Sequence, residues 1–155
     1  MNEPIEAPGL YVLRRLILLL LTVAMIGTAA DLMLLDHHEG FWQMVPLGTI
    51  ALGMVSVALA AIKGGVAAVT LMRVTMALFI CSGFVGMGLH YVGNSEFQLE
   101  MDPSLHGWSL FMKAITSKAP PALAPAAMIQ MGLLGLLYTY QHPALRHPLQ
   151  RLGSE

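Results

Sequence analysis

The stretch LILLLLTVAMIGTAADLMLLDHHEG, residues 16–40, decides the fold class of this chain. Fifteen residues from Leu16 to Ala30 carry no charge, and the apolar run resumes past Asp31 as far as Leu35. It then breaks into Asp36-His37-His38-Glu39-Gly40. A membrane-crossing helix needs about 20 apolar residues, because each adds ~1.5 Å against a hydrocarbon layer ~30 Å thick. The run therefore predicts a first span over 12–35, closed by a polar cap of acids and imidazoles. Arg14-Arg15, the apolar core and the small residues Thr28-Ala29-Ala30 also fit a cleavable secretory signal. The return of apolar sequence beyond Asp31 favours a retained span, since a signal's apolar region is shorter.

Composition extends this reading to the whole chain. Of 155 residues, 56% are hydrophobic and only 11% charged, where soluble domains carry roughly 25% charged residues. That is the composition of a membrane protein without a separate soluble domain, so residues 1–155 form one membrane domain. The net charge of −1 offers no basic surface for nucleic acid. The single Cys81 excludes an internal disulfide and any CxxC motif.

Residues 1–10 and 141–155 read as flexible tails. Phe41 to Ile62 contains no charge and predicts a second span over 43–62. Its small residues, Gly48, Gly53, Ser56, Ala58, Ala60 and Ala61, allow a neighbouring helix to approach closely. Lys63-Gly64-Gly65 makes a tight link to a third span over 66–91, with Arg73 near enough to its start to snorkel to the headgroups. Asp102-Pro103 is a helix-start signal, and Leu105, Trp108, Met112 and Ile115 then fall on one face. An interfacial amphipathic helix over 103–116 is the expectation. A fourth span over 121–140 follows, with Gln130 near its middle, where a hydrogen bond to another helix is the usual role. The fold class is thus all-α: a polytopic bundle of four transmembrane helices, with a short interfacial helix between spans 3 and 4.

Four crossings put Arg14, Arg15, Lys63, Arg73, Arg146 and Arg151 on one side, six of the eight basic residues. By the positive-inside rule that side is cytoplasmic and both termini lie there, as in a bacterial plasma (inner) membrane. Asp31, Asp36, Glu39, Glu96, Glu100 and Asp102 then face outward, together with His37, His38, His90 and His106.

Imidazole nitrogens and carboxylate oxygens together suit a transition-metal ion, zinc, iron or copper. His37, His38, His90, Asp31, Asp36 and Glu96 are the candidate ligands. No Glu-x-x-His, His-x-x-x-His or His-Glu-x-x-His spacing occurs, so the di-iron bundle and zincin patterns are missing. Histidines and acids at a membrane edge also serve simply as a wetted rim. Gly83, Gly86 and Gly88 before His90 would clear room for a haem, although glycines in spans more often let helices pack. The twelve methionines are dispersed through the spans as flexible filling rather than paired for copper.

Two functions are compatible with this pattern. The first is a small integral membrane protein without catalysis of its own, an accessory subunit or binding protein whose outer His/acid face engages a cation or a partner protein. The second is a redox or metal-handling protein that binds haem or a transition metal through His38 and His90. The bilayer is a partner in either case. Small-residue faces on spans 2 and 3 suit packing against another membrane protein or a second copy.

Overall fold

The structure, a computed structural model, describes residues 8–36, 39–117 and 123–145. Among these, 87% are helical and none lies in a strand. The elements in chain order are α1 (Pro8–Leu34), α2 (Phe41–Ile62), α3 (Val66–Met101), α4 (Gly107–Ile115) and α5 (Leu123–Thr139). α1 packs on α2 and α5, while α3 packs on α2, α4 and α5. Three helices, α1, α2 and α3, are long and apolar enough to cross a membrane. The described part of α5 is also apolar, but its 17 residues extend only about 26 Å.

Local chemistry sets the helix ends. α1 stops where Asp36 turns into the left-handed region, φ 50°, which aspartate tolerates better than most residues. At the start of α2 the Gln43 side-chain oxygen accepts the amides of Glu39 and Gly40, at 2.9 and 3.1 Å, and so satisfies donors that no helical turn can reach. The link between α2 and α3 needs Gly64, which sits at φ 59°, where a Cβ is strained.

α3 departs from expectation. Instead of ending at Tyr91 it continues through Gly93 to Met101, 36 residues in all and about 54 Å long, nearly twice the ~30 Å hydrocarbon layer. Glycine at position 93 costs about 1 kcal/mol in helix propensity and does not by itself stop a helix. The stop comes at Asp102, whose extended backbone (φ −149°, ψ 92°) is the conformation imposed on a residue before proline. Asp102-Pro103 therefore ends α3 rather than starting the next helix. The Asp102 carboxylate accepts the Ser104 amide at 3.1 Å and hydroxyl at 2.6 Å, forming a turn. The interfacial helix predicted over 103–116 begins only at Gly107, with His106 at its N-cap.

The core is rich in methionine. Leu21 and Met25 of α1 meet Met72, Met76 and Phe79 of α3, all with no exposed surface. Outside this core the helices remain apolar: Leu19, Leu20, Val23, Val55, Phe84, Leu133 and Leu137 are each more than half exposed. Helices apolar on every side belong in lipid, and this is the surface of an integral membrane protein.

The closest helix approach is between α3 and α5. A Cβ on Gly132 would lie 2.6 Å from the Met76 carbonyl oxygen, and one on Gly83 2.7 Å from that of Pro125. Both distances are shorter than the contacts a Cβ makes, so only glycine permits these backbones to touch. On α2, Gly53, Ser56 and Ala60 point inward, while Gly48 and Ala58 remain exposed.

Polar side chains hold the end of α5. Arg14 on α1, 6% exposed, donates to the carbonyls of Tyr138, Tyr140 and Gln141. Arg73 on α3 donates to the Thr139 carbonyl at 3.0 Å and to its hydroxyl at 3.3 Å. Two arginines thus supply donors to four successive carbonyls where the helix itself has none left. Arg73 caps a helix rather than merely reaching for headgroups. Gln130, by contrast, is exposed on α5 and has no hydrogen bond among the described residues.

Candidate functional site

α1 and α3 run one way and α2 and α5 the other. Asp31, Asp36, Glu39, Glu96, Glu100 and Asp102 therefore gather at one end, and Arg14, Arg15, Lys63 and Arg73 at the opposite one. At the acidic end the four long elements splay around a cavity of about 360 Å³.

α3 forms its spine. Ser82, Val85, Gly86, Leu89, His90, Gly93 and Asn94 all line the cavity. Their spacing of three and four residues is that of one helical face, and it persists across about 18 Å because α3 does not stop at Tyr91. Leu32 of α1, Trp42 and Pro46 of α2 and Met128 of α5 supply apolar walls. Pro46 has no amide to donate, so the Trp42 carbonyl one turn earlier lacks its helical partner. Polar side chains among the described lining residues are few: Thr28, Gln43, Ser82, His90 and Asn94. Asn94 also ties α4 to α3, donating to the Ala114 carbonyl at 3.2 Å and the Ser117 hydroxyl at 2.9 Å. Tyr91 and Phe111, whose ring centroids lie 5.9 Å apart, add to the same α3–α4 contact.

Among the described residues no aspartate, glutamate, lysine or arginine lines the cavity. Its size falls in the range of small-molecule sites, roughly 300–1,000 Å³, which combine apolar walls with a few placed polar groups. The arrangement suits an uncharged molecule with an apolar body and a hydrogen-bonding head.

The candidate metal ligands are distributed differently from this cavity. His90 lines it, whereas Asp31, Asp36 and Glu96 are exposed on the surrounding rim. His37 and His38 lie outside the described residues. Among the described residues no three of histidine, cysteine, aspartate and glutamate gather closely enough to hold a metal ion. The haem reading loses its clearance as well, since the notch at Gly83 is filled by Pro125 and Ile129 and that at Gly86 faces Pro125. Gly88 alone of the three has open space beside it.

Gln43 and Ser82 were not singled out by the sequence reading. The signal was available in the repeat 82, 85/86, 89/90, 93/94, but it becomes visible only once the third helix is known to run on past Tyr91. No family model matches this chain, and no curated protein or solved structure shows significant similarity to it.

Proposed function

We propose that the chain crosses the bilayer four times through α1, α2, α3 and α5, with α4 in the interface and both termini in the cytoplasm. Its role is that of a non-catalytic binding protein or accessory subunit in a bacterial inner membrane. The acidic end faces outward. There the cavity holds an uncharged amphipathic molecule, its head hydrogen-bonded by His90, Asn94 and Gln43 and its apolar body against Leu32, Leu89 and Met128. The observation that carries this reading is a cavity of about 360 Å³ that opens among lipid-facing helices and has no Asp, Glu, Lys or Arg among its described lining residues. A charged ligand would lose its hydration there without an opposite charge to replace it. The exposed acids around the mouth form the face offered to a partner protein or to cations.

The test is extraction of small molecules from protein purified in a mild detergent, followed by mass spectrometry. Gly93→Leu places bulk in the cavity from a position where an added Cβ meets nothing within 4 Å. A neutral amphiphile should accompany the native chain near one-to-one and be depleted in Gly93→Leu and His90→Ala. Equal amounts in all three would defeat the proposal. Elemental analysis of the same samples tests the metal-handling alternative: stoichiometric metal that disappears in His38→Ala and His90→Ala would establish it instead.

A further inference from the structure

The basic end contains a second cavity, of about 240 Å³, between the start of α1, the end of α2 and the end of α5. Arg14, Arg15, Lys63 and His142 line it, and among the described residues no carboxylate does. The charge of Arg14 is directed at the C-terminal carbonyls of α5, which form the negative end of that helix's dipole. Arg15 and Lys63 are differently placed. Arg15 meets only an uncharged partner, donating from Nε to the Tyr11 hydroxyl at 3.1 Å and lying 5.3 Å over its ring. The Lys63 side chain, exposed on the tight α2–α3 link, has no hydrogen bond or ion pair among the described residues. Arg15 and Lys63 therefore share one cavity with no ion pair of their own among the described residues.

The remaining walls are apolar. Leu18, Ala60, Ala61 and Ile62 line it as well, and Ile62 is 81% exposed on the outer surface of the helices. Cations beside an apolar, lipid-facing wall match the two parts of an anionic phospholipid, and basic pockets between membrane helices hold such headgroups.

We propose that this cavity binds a phosphate group, that of an anionic phospholipid, with Arg15 and Lys63 taking the phosphate oxygens and acyl chains descending along Ile62. The site is separate from the cavity at the acidic end and takes a ligand of opposite character. Each cationic side chain near an anionic lipid is worth about fivefold in affinity, so Arg15→Gln with Lys63→Gln should weaken binding about 30-fold. Both residues are exposed, and neither caps α5, so the double variant should unfold at the native temperature.

The experiment is native mass spectrometry of the full chain in a neutral detergent, titrated with phosphatidylglycerol, with phosphatidylcholine or with inorganic phosphate. Phosphatidylglycerol should bind at least about tenfold more tightly than phosphatidylcholine, which has a phosphate but no net charge. That preference should vanish in the double variant and persist in Gly93→Leu, which separates this site from the other cavity. Displacement of the lipid by millimolar phosphate would mark the source as interchangeable and the phosphate itself as the recognised group. Equal binding of the two lipids without a phosphate effect, or an unchanged preference in the double variant, overturns the proposal.

Discussion

Replacing Arg14 by methionine removes the donor that holds the end of α5 while keeping a long side chain in the same space. Three carbonyls lose a partner: that of Tyr138, which the guanidinium meets inside the protein, and those of Tyr140 and Gln141, which share one nitrogen at 3.2 and 3.3 Å. Hydrogen bonds from a charged donor contribute about 1.5–3 kcal/mol each. The two longer contacts count together as roughly one such bond, so the gross loss is about 3–6 kcal/mol. Methionine recovers about 1–2 kcal/mol by burying its own apolar surface, leaving a net destabilisation of about 2–4 kcal/mol. Arg14→Lys should fall between the two, since a single ammonium keeps the charge but not the planar fork that reaches several acceptors. Reversible unfolding in mixed detergent micelles, followed by far-UV circular dichroism, measures this directly. An Arg14→Met variant within about 0.5 kcal/mol of the native chain would refute the capping argument.

Gly132→Ala should destabilise by about 1–3 kcal/mol, because its Cβ would press on the Met76 backbone, which cannot move aside as a side-chain tip can. Gly88→Ala, with open space around it, should hold or raise stability in the same unfolding assay. At the other end of α3, hydrogen bonds from the Ser104 hydroxyl and amide, and then the charge of Lys113, hold the Asp102 carboxyl below its ordinary value of 3.8. The folded turn prefers the ionised form, so its contribution is complete above that value and is lost as pH falls through the lower folded one. Acid titration of Trp108 fluorescence in a Trp42→Phe background should show α4 loosening in that window, and Asp102→Asn should remove the transition.

The helical class and the apolar crossings were legible from one dimension because they depend on it. Whether a run such as Leu16–Leu35 can sit in hydrocarbon is settled by its length and lack of charge. The clustering of Arg14, Arg15 and Lys63 opposite Asp31, Asp36 and Glu96 follows from chain reversal alone. Helix ends were less legible where two signals competed. Asp102-Pro103 is equally a start for one helix and a stop for another, and the polar sequence from Asn94 to Glu100 could not show that α3 would continue to meet it.

Tertiary structure decided everything that depends on which faces meet. Gly83 next to His90 suggested room for a cofactor, yet the room is occupied by Pro125 and Ile129, more than forty positions along the chain. Arg14 and Arg73 looked like edge charges that mark an orientation. Packing α1 and α3 against α5 instead brings their guanidinium groups to the carbonyls of Tyr138–Gln141. The cavity at the acidic end likewise has no counterpart in sequence order, because its walls come from four helices. Length and polarity are properties of a segment, and any segment displays them. A notch, a cap or a cavity exists only between segments, and the free energy that creates it is gained on contact.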